Sequence, residues 1–199
     1  MKLYILRHED RTQDATMFSP LTKEGLKNSL NLVDTLQDLE IDYIYSSPFI
    51  RTLQTVHPFV KSRNKKINLE YGLQEIQHPS LIPENSYTVS LPIYICESFN
   101  YNPKYRSTLE PENNKYPEDE QMVSNRVKKV LSKIMNEHLT SKNNILIVTH
   151  QVVCNAILKI ASKDLDIEKI NYTSKYPKGG LSKVWNVDTW DFKKINWED

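Results

Sequence analysis

The chain of 199 residues carries 26 Lys and Arg residues against 25 Asp and Glu residues, so its formal net charge is only +1. Binding to nucleic acid or to a membrane through bulk charge is therefore not expected. With 39% hydrophobic and 26% charged residues, the composition is typical of a globular protein, and the length suits one domain with room for an insertion.

The cysteines and histidines argue against a disulfide framework and against a metal site. Cys96 and Cys154 lie far apart and outside any CxxC pattern, and the five histidines lack the spacing of metal ligands. The first apolar run ends at Arg7, too early for a signal peptide, and no stretch reaches membrane-spanning length. We therefore predict a cytoplasmic protein without a metal or another cofactor, and without nucleic-acid or membrane partners.

Apolar runs and helical patterns alternate along the first part of the chain. Residues 3–6 have the continuous apolar pattern of a buried parallel strand. Thr22 can cap a helix; its predicted apolar face consists of Leu26, Leu30, Val33, Leu36 and Leu39. Residues 41–47 and 66–72 predict two further strands, and Pro48 suits the first turn of a helix that runs to about residue 62.

The segment 76–118 departs from this alternation. Its prolines are Pro79, Pro83, Pro92, Pro103, Pro111 and Pro117, and its aromatic residues include Tyr87, Tyr94, Phe99, Tyr101, Tyr105 and Tyr116. Prolines alone would suggest a linker, whereas this many aromatic residues favours packing. We interpret the segment as a cap inserted in a single domain over residues 1–199, with a floppy loop as the alternative.

The rest of the chain returns to alternating elements. The pattern predicts an amphipathic helix over 119–139, a strand over 143–150 and a helix over 152–162. A glycine pair at 179–180 then leads into a last strand, over about 183–188. Strands alternating with helices indicate an α/β fold, a three-layer sandwich in which helices flank a mostly parallel central sheet.

Two histidines directly follow apolar strands. His8 comes after the first strand and His150 after the strand over 143–150, and the carboxyl ends of parallel strands meet at one edge of a sheet. Arg7 precedes His8, and Arg51 lies in the first turn of a helix that follows a strand. Because such cations would be costly to bury together without a counter-charge, the sequence predicts a phosphate site at this edge.

Four stretches carry a resemblance to a known family. In order and spacing, "LYILRHED", "PLTKEG", "SSPFIRTLQT" and "NNILIVTH" resemble the motifs of the histidine phosphatase superfamily, also called phosphoglycerate-mutase-like. The Arg-His-Gly motif of that family corresponds to Arg7, His8 and Glu9. Its second arginine falls on Arg51 and its second histidine on His150. The four stretches span about three-quarters of the chain.

One branch of the superfamily is more similar than the others. The suppressor-of-T-cell-receptor-signalling phosphatases typically have an arginine and an aspartate after the first motif, and here Arg11 and Asp14 fall in register. The stretches "YPEDEQMVSNRVKKVL", "YPKGGLSKV" and "NWED" also resemble that branch. Its members carry additional binding domains, for which this chain has no room.

The resemblance implies a phosphoryl-transfer mechanism. His8 would attack phosphorus and form a phosphohistidine, with its pKa lowered by the surrounding arginines. Arg7, Arg51 and His150 would hold the phosphoryl oxygens and stabilise charge in the transition state. Arg11 would bind the phosphate or the leaving group, because a guanidinium fork suits phosphate geometry.

A general acid is also required, to protonate the leaving oxygen and then to activate water. The family supplies it from a loop after the third strand, and "YGLQEIQ" places Glu75 there. Glu70 and Glu84 are the alternatives.

Two positions depart from the family pattern. Glu9 replaces the glycine after the nucleophile, and Gln151 replaces a glycine that often follows the second histidine. We expect the Glu9 side chain to point away from the phosphate, and Asp10 or Glu9 to pair with Arg11.

These residues predict a metal-independent phosphomonoester hydrolase. Its substrate would be a phosphorylated small molecule or a phosphoprotein, and aromatic residues of the segment 76–118 could stack on a ring-bearing one. A cofactor-dependent phosphoglycerate mutase and an inactive phosphate-binding module are the alternatives. Because members of the family are often dimers, a homodimer is a further expectation.

Overall fold

The computed structural model describes residues 1–14, 16–84 and 89–190. Two features singled out above, Tyr87 and the stretch "NWED", lie outside these residues. The strands are Leu3–Arg7 (β1), Tyr43–Ser46 (β2), Ile67–Leu69 (β3), Ile145–Thr149 (β4), Ile167–Lys169 (β5) and Leu181–Val184 (β6). The helices are Lys23–Gln37 (α1), Ile50–Ser62 (α2), Ile93–Ser98 (α3), Glu120–His138 (α4) and Gln151–Ala161 (α5). Within the described residues, no helix is long and apolar enough to cross a membrane.

The six strands form one sheet in the order β3-β2-β4-β1-β6-β5. The first four of these are mutually parallel, β6 runs antiparallel to β1, and β5 runs antiparallel to β6. β1 and β4 are central and apolar on both sides, as expected of strands that are covered by helices on both faces. The predicted α/β fold with a mostly parallel sheet is therefore confirmed.

Helices cover the two faces of the sheet and bury two separate hydrophobic clusters. Residues of α4 and α5 pack on one face against side chains such as Ile5 and Ile147. Residues of α1 and α2 pack on the other face against Leu6 and Val148. Successive residues of one strand thus serve opposite clusters, and the result is the expected three-layer sandwich.

The apolar face predicted for α1 is wrong at two of its five positions. Leu36 is buried as expected, and Val33 and Leu39 pack, partly buried, against the cluster. Thr22 caps the helix as expected, since its side chain accepts a hydrogen bond from the Gly25 amide. However, Leu26 and Leu30 are 43% and 63% exposed. The buried side consists of Gly25, Ser29, Leu32 and Leu36. Glycine is required at the first of these positions, because a Cβ atom there would lie 2.1 Å from the carbonyl oxygen of Asp10.

The last part of the sheet also differs from the prediction. The final strand begins at Leu181, two residues early, because the Arg7 amide already donates to the Gly180 carbonyl at 3.0 Å and antiparallel pairing with β1 follows at once. The short edge strand β5 was not predicted. Its three residues are largely exposed and lack an apolar run.

The described residues of the segment 76–118 pack against the domain. Ile82, Leu91 and Cys96 are buried in the cluster on the α1 and α2 face. The Tyr105 hydroxyl donates to Glu70 at 2.6 Å, and the Phe99 ring packs edge-on against His57. These contacts favour packing over a floppy loop, while the division into one domain with a cap-like insertion stays a prediction.

Candidate active site

β1 and β4 bring two histidines together at one edge of the sheet. Arg7 pairs with Thr149 at the ends of these adjacent strands, so the residues that follow, His8 and His150, leave the sheet at the same level. Their ring centroids lie 5.2 Å apart in an edge-on arrangement. Both side chains are buried, at 2% and 0% exposure. The convergence expected from the two strand ends is thus present.

A backbone contact fixes the protonation of His8. Its Nδ1 lies 2.7 Å from the carbonyl oxygen of Glu9, and because a carbonyl can only accept, Nδ1 carries the hydrogen. The other ring nitrogen, Nε2, then has a free lone pair. Burial, together with the Arg51 guanidinium, lowers the pKa of His8 well below its ordinary value. The ring is therefore a neutral base with one nitrogen available at neutral pH.

Two guanidinium groups flank the histidines, that of Arg51 buried and that of Arg7 partly buried. Arg7 donates from Nη1 to the Tyr176 carbonyl at 2.7 Å, and Arg51 donates from Nη1 to the Thr16 carbonyl at 2.9 Å. Within the described residues, the Nε atoms of both arginines are buried without a hydrogen-bond partner. Burial lowers the pKa of Arg51 to about 9, so its charge persists at neutral pH. Buried cations with unused donors favour an anionic ligand.

His150 and Glu75 face each other across the same site. His150 shares a 2.9 Å hydrogen bond from Nε2 with the Ser47 hydroxyl, while its Nδ1 lies 3.6 Å from a Glu75 carboxylate oxygen. Burial raises the pKa of Glu75, and the positive charge of Arg51 opposes that rise. A carboxyl group that holds its proton to higher pH is suited to general acid catalysis.

The spacing of three of these groups would also suit a metal ion. One ligand atom from each of His8, Glu75 and His150 lies within 4.8 Å of the other two. However, the guanidinium groups of Arg7 and Arg51 flank the same space and would repel a cation. The arrangement therefore favours an anion, and the absence of a metal requirement stays a prediction.

The alternative acids occupy other surroundings. Glu70 is fully buried, and its carboxylate accepts hydrogen bonds from Gly72, Tyr105, Ser107 and Thr108. With these donors it anchors the segment 76–118 and has no free oxygen for chemistry. Glu84 is exposed. Of the three candidates, only Glu75 has a recorded contact with a histidine of the cluster.

Arg11 lies at the edge of the cluster and is partly exposed. Its Nη1 donates to the Thr12 carbonyl at 2.7 Å. The expected pairing of this arginine with Asp10 or Glu9 is wrong. Asp10 forms an ion pair with Lys178 and accepts a 2.7 Å hydrogen bond from the Thr22 hydroxyl, and the Glu9 carboxylate accepts one from Asn28. The role of Arg11 in substrate binding stays a prediction.

Glu9 turns its side chain away from the histidines. Its carboxylate lines a polar cavity of about 240 Å³ together with Asn28 and Gly179, and none of the clustered arginines and histidines lines that cavity. Gly179 leaves the required space, since a Cβ atom on it would lie 1.9 Å from Glu9 Oε1. The backbone of Glu9, in contrast, serves the site through its contact with His8 and its 2.9 Å donation to the Thr55 hydroxyl.

Several contributors to the site were not predicted from the sequence. Ser47, Tyr176 and Arg126 bind site residues or their backbone through contacts between distant parts of the chain. Only Arg126 had a local signal, because it interrupts the apolar side of α4 between Val123 and Val127. A buried charge on an apolar helix face indicates a specific partner.

Comparisons with known proteins show the family of this chain. The family model described as "Histidine phosphatase superfamily (branch 1)" matches residues 3–198. The chain belongs to the histidine phosphatase superfamily. No curated protein sequence matches it significantly.

Solved structures show the same superfamily fold. An ecdysone phosphate phosphatase from "Bombix mori", in complex with tungstate, has a TM-score of 0.72 at 16% identity, with 92% of this chain and 88% of that chain covered. A phosphoglycerate mutase from Bacillus anthracis has a TM-score of 0.64 at 18% identity, covering 94% and 89%. YhfR from Bacillus stearothermophilus reaches 0.59 at 22%, covering 81% and 80%. No finding singles out the suppressor-of-T-cell-receptor-signalling branch, which stays a prediction.

Proposed function

We propose that the protein is a phosphoric monoester hydrolase that acts through a phosphohistidine on His8. The observation that carries this proposal is the free Nε2 of a neutral, buried His8 beside the guanidinium groups of Arg7 and Arg51, whose Nε donors are unused. Membership in the superfamily and the phosphatases among the structural neighbours support the same reaction class.

In the first step, His8 Nε2 attacks phosphorus while the bond from phosphorus to the leaving oxygen breaks. Glu75, in the acid form that its burial-raised pKa favours, donates its proton to that oxygen, and the alcohol departs. Arg7 and Arg51 bind the equatorial phosphoryl oxygens, where charge accumulates in the transition state. The imidazole of His150, whose Nδ1 lies 3.6 Å from a Glu75 carboxylate oxygen, lies beside the same phosphoryl oxygens.

In the second step, water attacks the phosphohistidine on the face that the alcohol has left. Glu75 is now a carboxylate and takes a proton from the water as the new phosphorus–oxygen bond forms. The bond from phosphorus to His8 Nε2 breaks, inorganic phosphate leaves, and both residues return to their starting protonation states. No metal ion enters either step.

Hydrolysis of p-nitrophenyl phosphate in the presence of a chelator tests the proposal. The wild-type protein should hydrolyse the ester, His8→Ala should be inactive, and brief incubation with labelled substrate should leave phosphate bound to His8. Equal inactivity of the wild type and His8→Ala across a broad panel of phosphoesters would contradict a hydrolase. If phosphate nevertheless bound without labelling His8, the chain would be a binding module; primed conversion of 3- to 2-phosphoglycerate would make it a mutase.

The substrate is best described at the level of a phosphomonoester of a small molecule or a protein. Among the described aromatic residues of the segment 76–118, Tyr105 and Phe99 are engaged in packing, whereas Tyr94 is 72% exposed, and stacking on a ring-bearing substrate stays a prediction. The partly exposed Arg11 is the residue we propose for contacts beyond the phosphoryl group. Cytoplasmic location and dimerisation stay predictions.

A further inference from the structure

A buried ion pair lies directly behind the loop that carries Glu75. Arg126 on α4 donates from Nε to Glu118 Oε1 at 2.8 Å and from Nη2 to Glu118 Oε2 at 3.0 Å. Both residues are 6% exposed. We call Arg126 and Glu118 the clasp. Its bidentate geometry is the arrangement in which a guanidinium and a carboxylate satisfy each other best.

The clasp also binds the backbone on both sides of Glu75. Arg126 donates from Nη1 to the Gly72 carbonyl at 2.8 Å and from Nη2 to the Glu75 carbonyl at 3.3 Å. Glu118 Oε2 accepts from the Gln77 amide at 2.9 Å. One buried ion pair therefore holds the loop before, at and after the residue that faces His150.

The opposite side of this loop is attached to the catalytic edge of the sheet. The Thr149 hydroxyl donates to the Leu73 carbonyl at 2.5 Å, and Thr149 immediately precedes His150. The loop is thus held between the clasp and the end of β4. Within the described residues, the clasp forms no hydrogen bond with the imidazole or guanidinium groups of the site. Burial is the main cause of the lowered pKa of His150, and the Arg126 charge adds to it through space.

We infer that Arg126 and Glu118 are positioning residues that set the place of the Glu75 carboxyl relative to the leaving oxygen. This inference rests on the proposed function and adds a determinant of the proton-transfer step. Proton transfer requires the acid within hydrogen-bond reach of its target, and a displacement of about 1 Å can cost on the order of 100-fold in rate. The clasp should therefore affect the departure of poor leaving groups more than the binding of phosphate.

The test compares two aryl phosphates that differ in their need for an acid. Phenyl phosphate has a poor leaving group and depends on protonation, whereas p-nitrophenyl phosphate has a good one. Arg126→Lys keeps the charge but loses the planar fork that reaches Glu118 and two carbonyl groups together. It should lower kcat/KM for phenyl phosphate by about 10- to 100-fold and kcat/KM for p-nitrophenyl phosphate by less than about threefold. The ratio kcat/KM is the right quantity because it reports the steps up to departure of the alcohol and not the later attack of water, in which Glu75 acts as a base for both esters.

Two further variants separate positioning from general destabilisation. Arg106 is an exposed arginine that, like Arg126, donates to backbone carbonyl groups, so Arg106→Lys is the matched control and should change neither rate. In a Glu75→Gln background, Arg126→Lys should add less than about a threefold loss on phenyl phosphate, since the acid is already absent. The inference would be overturned if Arg126→Lys lowered kcat/KM equally for both esters. It would also be overturned if Arg126→Lys caused its full loss again in the Glu75→Gln background.

The outcomes also distinguish this inference from the proposed function. If Glu75→Gln lowers kcat/KM equally for both esters, Glu75 is not the acid. The role of Glu75 in the proposed function and the role of the clasp are then both refuted. If Glu75→Gln discriminates between the esters and Arg126→Lys does not, only the role of the clasp is refuted. Where Arg126→Lys does not fold, Glu118→Gln decides by the same ratio, because it keeps the size of the side chain and removes its charge.

Discussion

Two groups of buried charges lie side by side in this molecule and differ in how they are paired. In the clasp, Arg126 and Glu118 satisfy each other, and their remaining hydrogen-bonding atoms bind the backbone. At the edge of the sheet, Arg7 and Arg51 each donate to a backbone carbonyl, yet their buried Nε atoms have no partner among the described residues.

The difference indicates what each group is for. A buried charge without a counter-charge raises the free energy of the folded state, so the arginines at the sheet edge are explained by a ligand that supplies the missing charge. A paired and hydrogen-bonded charge needs no ligand and instead fixes the surrounding backbone. Under the proposed function, arginine therefore binds phosphate at the edge of the sheet and fixes the geometry of a loop in the clasp.

Replacing one arginine of each group by methionine should have opposite consequences for activity and stability. Arg51→Met should lower kcat/KM by about 100- to 1,000-fold, because it removes a donor to the transition state. Its free energy of unfolding should stay within about 1 kcal/mol of the wild-type value or rise, since an uncompensated buried charge is lost. Arg126→Met should lower the free energy of unfolding by about 3–5 kcal/mol by leaving Glu118 buried and unpaired.

Urea unfolding without phosphate measures both stabilities, and steady-state kinetics measures the activity. As a control, Glu118→Leu combined with Arg126→Met should recover most of the stability, because an apolar pair replaces the ion pair. Saturating inorganic phosphate should stabilise the wild type more than Arg51→Met. If Arg51→Met were as destabilising as Arg126→Met, the contrast between the two groups would be refuted.

The dependence of activity on pH sharpens the contrast at Glu75, which lies between the two groups. Burial raises its pKa, with Arg51 opposing, so the acid form is present to higher pH than for an ordinary carboxyl group and is lost as the pH rises further. His8 has the opposite shift and stays neutral down to low pH. The advantage of the wild type over Glu75→Gln on phenyl phosphate should therefore be largest at acidic pH, about 100- to 10,000-fold, and should shrink as the pH rises.

The ratio of the two kcat/KM values is the quantity to measure, because titration of the substrate itself cancels in it. Arg7, Arg51, Arg126 and His150 are the basic groups around Glu75, and none of them changes in this pair of proteins. A ratio that does not vary with pH would show that Glu75 does not act as the acid.

The sequence was sufficient for the four parallel strands and for the convergence of His8 and His150, because apolar strands that end in polar residues are a local pattern with a fixed topological meaning. The exposed edge strand β5 has no such pattern. The sequence also led to Glu75, through a short loop motif. The contacts that favour Glu75 over Glu70 could not be predicted from the sequence. Both are glutamates in the same stretch, and only the fold reveals that Glu70 is consumed by donors from residues 105–108.

Errors in the sequence prediction have physical causes of the same kind. Periodicity assigned Leu26 and Leu30 to the buried face of α1, whereas the close approach of the Asp10 backbone selects the face with Gly25 and Ser29. Hydropathy alone cannot identify a face that is chosen for small size. Likewise, the partner of Asp10 is Lys178, 168 positions away, and no local spacing indicates it.

Substitution of Glu9 should have the smallest effect on activity. The carboxylate lies beside Gly179 and Asn28, while only the backbone of Glu9 contacts His8 and Thr55. Glu9→Gln preserves both the backbone contacts and the shape, so kcat/KM should change by less than about tenfold, equivalent to about 1.4 kcal/mol. Burial raises the pKa of Glu9, which means that its charge is unfavourable in the folded state, and the variant should be at least as stable as the wild type at neutral pH.

Gly179→Ala is the informative counterpart to that variant. Gly179 has a φ of 66°, and a Cβ atom there would collide with the Glu9 carboxylate. Because the Gly179 amide also donates to the His8 carbonyl at 3.2 Å, this substitution should displace the backbone of His8. Glu9→Gln leaves that backbone in place. A hundredfold loss in Glu9→Gln would mean instead that the charge of Glu9 acts on His8. The glutamate that replaces the family glycine would then contribute to the chemistry and not only to the packing.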